Sequence, residues 1–248
     1  MPSIFGSVCT CRYQKASLAG EASAAYKQFN AAEWVLEELN GRPMNSTQIS
    51  AQRVHGLELP GAAGSALRLL DVGAIVNHYP AEDASASAPD DDPAKDNDDD
   101  DNDNEGLLRP GEVRGPVVSV DGAGPRRLHV TSIDLNPRDK DVLKADFLEW
   151  AKDQVAARIS YDVIVLSLVI NFVGSPVKRG EMLQLCGQLL VEGGLLFLVT
   201  PEPCVYNSRY LKFKLFSDML SSCGMPIIPG GWKVRALPLP RMCSPAAQ

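Results

Sequence analysis

Three short acid-bearing steps in this 248-residue chain have the residue types for ligand chemistry. They are "LLDVGAI" with Asp71 and Gly73, "SIDLNP" with Asp134, and "KADF" with Asp146 and Phe147. Each stands where an apolar run ends. An ionised carboxylate at such a point makes charge-assisted hydrogen bonds, so Asp134 is suited to accept both hydroxyls of a ribose. Asp146 can take an adenine amino group, while Phe147 offers its backbone amide or its ring. Gly73 stands without the further glycines of G-x-G-x-x-G, the pattern that lets a pyrophosphate approach the backbone. A nucleoside without phosphates fits better, and S-adenosylmethionine (SAM) is the cofactor expected. Gly73, Asp134, Asp71, Asp146, Phe147 and Ser167 are its expected contacts. A lone Asp at a strand end is more often a turn former or helix cap. Three such steps in order argue for the ligand.

The elements that must position these residues alternate. "ALRLLDVGAIV" (66–76), "RLHVTSIDL" (127–135) and the short "DVLKADFLEW" read as strands one to three, the last running into a helix through "DQVAARI". "YDVIVLSLVINFV" (161–173) is apolar throughout, as a strand buried on both faces must be. "VKRGEMLQLCGQLL" has helical spacing, "LLFLVTP" (195–201) is the next strand, and "RYLKFKLFSDMLSSCGM" (209–225) is an amphipathic helix closed by Gly224. Ahead of them, "SLAGEASAAYKQFNAAEWVLEELN" (17–40) is helical and stops at Asn40-Gly41-Arg42-Pro43. Alternating strands and helices with apolar strands imply an α/β, mostly parallel sheet with helices on both faces. Ligands in such sheets bind at the carboxyl ends of the strands, where the acids stand.

Asp71 and Asp134 are 63 residues apart, where about 20 is usual for one strand–helix–strand unit. The excess is an insertion. Residues 82–105 carry twelve acids and one base, and such a self-repelling segment does not bury enough apolar surface to order itself. The insertion is read as disordered over 80–125, and excising 80–124 leaves a spacing of 18. The formal net charge is −7, yet without residues 82–105 the chain has 19 acids and 23 bases, about +4, which permits an RNA partner. The domain reading is a helical segment over 1–60, a SAM-binding domain over 61–240 and a frayed tail over 241–248.

Six scattered Cys suggest reduced thiols in an intracellular compartment, not a disulfide framework. Cys9-x-Cys11 is too short and isolated for a zinc half-site, and His55, His78 and His129 are singletons, read as surface or structural. No metal is expected. No run approaches the ~20 apolar residues of a membrane span, so no membrane partner is expected either.

Taken together, "YQKASLAG", "LLDVGAI", "SIDLNP", "ADFLEW", "YDVIVLSLVINFVGSPVKRGEML" and "GGLLFLVTPEPCVYNSRYL" resemble the fungal 25S rRNA adenine-N1 methyltransferases. Their animal relative is a SAM sensor of TOR signalling. The resemblance covers roughly residues 12–235 outside the acidic insertion. It implies a Rossmann-like class I SAM-dependent methyltransferase fold, with Gly73 and Asp134 as the first cofactor contacts. It further implies large-subunit rRNA or a pre-ribosomal particle as partner, a nucleolar location within the nucleus and a monomer. The family has more chain ahead of "YQKASL" and a further strand after the "GW…LP" segment. This chain reads on into "LPLPRMCSPAAQ", so a sheet lacking its last edge strand is expected.

Transfer of a sulfonium methyl to adenine N1 is a direct displacement by a lone pair already available at neutral pH. It needs alignment and tolerance of positive charge more than a general base. Adenine N6 methylation typically uses an Asp/Asn-Pro-Pro-aromatic turn after strand four, where this chain has "SLVINFV". Asn171 can hydrogen-bond the adenine edge and Phe172 can stack on a flipped base, so both are the catalytic candidates. Their alternative roles are a strand-end cap and a core residue. Asn207, Arg209 and Tyr210, with Lys212 and Lys214 beyond, form a basic, aromatic-containing stretch for RNA. Its alternative is a solvated helix face. A second reading keeps the SAM site in a regulatory sensor acting through a protein partner. A nicotinamide oxidoreductase is opposed by the absent glycine pattern.

Overall fold

Leu67–Val72 (β1) and Tyr161–Ser167 (β5) lie side by side and parallel, with Leu69 opposite Val163 and Val72 opposite Leu166. The computed structural model describes residues 31–40, 59–62, 64–79, 108–120, 124–201, 204–205, 209 and 211–228. Around the central pair stand Val113–Val120 (β2), Gly124–Asp134 (β3), Val142–Lys144 (β4) and Leu190–Val199 (β6), in the order β2-β3-β1-β5-β6 with β4 on β3. Every pairing is parallel except the β2–β3 hairpin. From β1 the chain goes to β3 on one side, then crosses to β5 on the other. The order therefore reverses at β1, which makes its carboxyl end the switch point.

Side chains alternate across a strand, so each strand feeds two layers. Leu70, Val72, Ile133, Ile164 and Leu166 point to one face, covered by Phe147–Ala156 (α2), Pro176–Leu189 (α3) and Phe213–Ser222 (α4). Leu67, Leu69, Leu128, Val130 and Val163 point to the other, beneath Ala31–Leu39 (α1) and Tyr79. Full burial on both faces explains the continuous apolar reading of β1 and β5. Trp34 of α1 packs edge-on against Phe197 of β6 at 5.1 Å between ring centres.

The helices begin where the sequence supplies caps. Asp146 accepts from the Leu148 amide at 2.9 Å ahead of α2, and Ser175 stands before Pro176, whose fixed φ suits a first helical position. Gly224, at φ +81°, turns the chain out of α4 as expected from the sequence.

Three differences from the sequence reading have physical causes. The reading of disorder up to residue 125 does not hold for 113–120, which form a strand. β2 is an edge strand that borrows its order from β3, and Pro116, which has no amide to donate, sits at the irregularity between Arg114 and Val117. The apolar run to Val173 stops being strand at Ser167, since Leu168 turns to φ +56° and residues 170–172 form a 3₁₀ turn. β6 begins at Leu190 and not at 195: "VEGG" is an irregular lead-in, with Gly193 at φ +78°. The acidic run to residue 107, the helical segment before Ala31 and the tail lie outside the described residues.

Candidate functional site

Gly73 is wedged into the switch point. Its amide donates to Ile133 O at 2.8 Å and that of Ala74 to the same oxygen at 3.2 Å, tying the end of β1 to the end of β3. At φ +84° a side chain is strained, and a Cβ here would collide with Val169 Cγ2 and lie 3.7 Å from Ser167 O. The turn thus fits tightly against the segment leaving β5. Gly73, Ser167 and Asp134 are brought together as expected.

Asp134 closes β3. Its Oδ1 accepts the Asn136 amide at 2.7 Å, an Asx turn, which leaves Oδ2 for a further donor. Burial pushes its carboxyl up; the Asn136 bond offsets part of this, and the nearby Asp71 charge adds to the rise. A buried carboxylate with an unused oxygen is suited to two vicinal hydroxyls. Asp71, in register with Ser132, is also buried, but His78 Nδ1 stands 3.0 Å from its Oδ2. The turn after β1 therefore returns a histidine to the acid from which it departs, a pairing that the reading of His78 as a surface or structural singleton does not contain. Two buried hydroxyls nearby, Ser132 Oγ and Tyr79 Oη, have no protein partner. Burial and then the Asp71 charge hold the Tyr79 phenol well above its usual range.

The loops after β1 and β3 brace each other: Arg138 N donates to Ile75 O at 2.8 Å and Asn77 N to Asp139 Oδ2 at 3.2 Å. Both Asp139 oxygens take backbone amides, those of Asp141 and Asn77 first among the causes that hold its carboxyl below the ordinary range.

The remaining candidates divide. Asp146 caps α2 through Oδ1. The Phe147 ring is packed in the core and cannot stack on a ligand, and its amide lies in the first turn of α2. Asn171 and Phe172 lie in the 3₁₀ turn beyond β5, where Asn171 Oδ1 is buried without a partner and Phe172 is 45% exposed. Phe172 is thus not a core residue. Arg209 and Lys212 are exposed, and Lys214 pairs with Asp218 of its own helix at 2.9 Å. Asn207 and Tyr210 lie outside the described residues. No three His, Cys, Asp or Glu gather as a metal site among the described residues.

A mostly parallel sheet with helices on both faces, reversing its order at a glycine turn between acid-bearing strand ends, defines a Rossmann-like fold. The family described as 25S rRNA (adenine(2142)-N(1))-methyltransferase, Bmt2, matches residues 122–230. Over 97 residues the chain is 35% identical to the 25S rRNA (adenine(2142)-N(1))-methyltransferase of Saccharomyces cerevisiae, covering 39% of this chain and 28% of that protein. Over 100 residues it is 34% identical to the 25S rRNA adenine-N(1) methyltransferase of Schizosaccharomyces pombe, covering 38% and 35%. Residues 122–230 are thus similar to this methyltransferase family, the one that the chain's motifs resemble. The chain spans about a third of the length of these relatives.

Proposed function

We propose that this chain is a SAM-dependent methyltransferase acting on N1 of an adenine in large-subunit rRNA. The observation that carries the reading is the Gly73 turn, which has no room for a side chain and is bonded to Ile133 of the strand that ends in Asp134. The family match over residues 122–230 includes Asp134 and the turn with Asn171 and Phe172.

The cofactor fits the residues present. Asp134 Oδ2 would take the ribose hydroxyls, the Gly73 turn would let the amino-acid end approach the backbone, and Asp146 with the Phe147 amide would meet the adenine. SAM supplies the electrophilic methyl. The protein's part is alignment: Phe172, exposed beyond β5, offers a stacking face for a flipped base, and Asn171 sets its edge. Buried acids nearby tolerate the positive charge that moves onto the adenine. Arg209 and Lys212 would meet RNA phosphates, and with Asn207 and Tyr210 they form the proposed RNA contacts. A nucleolar location and a monomeric enzyme follow from this reading.

Calorimetry with SAM, then methyl transfer to unmodified large-subunit rRNA, tests it. Binding with N1-methyladenine as product is expected. Binding without transfer to rRNA or to pre-ribosomal particles would replace the enzyme by the sensor reading, and absence of binding would remove the cofactor.

A further inference from the structure

His78 stands at the acid pair without belonging to any of the three motifs. Its imidazole is 34% exposed, while the Asp71 side chain it meets is 4% exposed. The ring is partly exposed, and its Nδ1 lies on a buried carboxylate. A partly exposed histidine on a buried carboxylate places a titratable ring between solvent and the site.

Among the described residues, the groups recorded around this pair are mostly acidic or neutral. On β3, Ser132 is in register with Asp71, and Asp134 is raised in part by the Asp71 charge. On β5, Val165 is the register partner of Asp71. On the turn itself, the Tyr79 phenol feels the Asp71 charge. On the loop after β3, Asp139 takes the Asn77 amide, and Arg138 donates its backbone amide to Ile75 O. The other described histidine, His129, is in register with Arg68 near the start of β1, away from this end of the strands.

We propose that His78, through its own protonation, sets how strongly the site prefers the charged methyl donor over its neutral product. The proposal rests on the reading that the site holds SAM. SAM and S-adenosylhomocysteine (SAH) share every group except the methyl, and transfer turns a sulfonium into a neutral thioether. Ionised Asp71 and Asp134 attract the sulfonium; a protonated His78 cancels part of that field. As pH rises through the titration of His78, the ring loses its charge, attraction for SAM grows and affinity for SAH hardly changes. Linkage makes the effect reciprocal: bound SAM lowers the proton affinity of His78, and bound SAH does so less. A unit charge roughly 10 Å away at a partly screened site gives a change of about three- to tenfold. Above the titration the product leaves readily; below it, product inhibition strengthens.

The test is the ratio of SAH to SAM dissociation constants, measured by calorimetry from pH 5.5 to 7.5 on the full chain and on H78Q and H78K. In the unmodified chain the ratio should rise about three- to tenfold across that range. H78Q should hold the high ratio throughout, and H78K, charged throughout, the low one. A ratio independent of pH in the unmodified chain overturns the proposal, whatever the variants do. A pH step that survives in a folded H78Q also overturns it, by assigning the step to another group. If both ligands bind with a flat ratio, His78 alone loses its role; if neither binds, the cofactor reading falls and takes this inference with it.

Discussion

The two ends of the parallel strands are both rich in buried polar groups, and they differ in charge balance. At the amino end, acids are set against bases. Glu112 accepts the Arg109 amide at 2.7 Å and pairs with Arg68 at 3.3 Å; Asp162 accepts the Arg68 amide at 2.8 Å. Arg126, buried, bonds Ser65 O at 2.8 Å, Pro60 O at 3.0 Å and Ser65 Oγ at 3.0 Å. At the carboxyl end, two acids face each other with one histidine, and Ser132 Oγ and Tyr79 Oη have no protein partner. A buried polar group left without a hydrogen bond costs about 1–3 kcal/mol, and such atoms occur at both ends, Glu112 Oε1 among them; only the carboxyl end gathers acids without a matching base. The first end holds the fold, and the second is the end proposed to receive the cofactor.

The largest break in this comparison is G73V. The left-handed backbone and the collision with Val169 oppose any side chain, and β-branching aggravates both. Calorimetry should find SAM affinity reduced by about a hundredfold or more, as the turn can no longer hold both strand ends. The counterpart at the other end is R126A. It leaves the Pro60 and Ser65 oxygens unpaired, and chemical denaturation should show a loss of about 3 kcal/mol. SAM affinity of the folded variant should stay within about twofold of the unmodified chain. A large loss of affinity in R126A would mean that the two ends are coupled.

D134N sharpens the contrast, because the two ends predict opposite signs for removing a charge. The folded chain holds the Asp134 carboxyl above its ordinary range, so ionisation of Asp134 opposes folding. Its contribution is present below the unfolded-state value and is lost as pH rises through the folded one. D134N should therefore be as stable as the unmodified chain at pH 7 or slightly more so in thermal melts, yet bind SAM about tenfold more weakly, one charge-assisted bond pair being lost. SAM affinity of the unmodified chain should also fall on acidification sooner than an ordinary carboxylate would dictate, and this dependence should vanish in D134N. A destabilised D134N with intact binding would make Asp134 an ordinary turn former.

The sequence made the central strands legible because burial on both faces leaves an unbroken apolar run, as in Tyr161–Ser167. It made the positions of Asp134 and Gly73 legible because three acid-bearing steps follow one another in order, each where an apolar run ends; a lone acid there would have read as a turn former. The strand β2 was not legible: "VRGPVVSV" holds a Gly and a Pro, and its order comes from pairing with β3, a tertiary effect. Leu168 to Val173 continued the apolar pattern, so hydrophobicity could not mark the turn that the backbone makes at Leu168. His78 was missed for a similar reason: its closeness to Asp71, seven residues earlier, depends on the conformation of the turn.

Asp146 gives the smallest effect and the finest test of where structure ends and site begins. Its Oδ1 caps α2, and its carboxylate is also the expected partner of the adenine amino group. D146A removes both functions, whereas D146S keeps a hydroxyl that caps the helix but cannot reach as far. Denaturation should find D146A about 1 kcal/mol less stable and D146S nearly unchanged. SAM affinity should fall about threefold in both, because a serine restores the helix and not the contact. Affinity recovered in D146S would assign Asp146 to the amino-end pattern, a group closed on its own backbone, and would leave the adenine to the Phe147 amide.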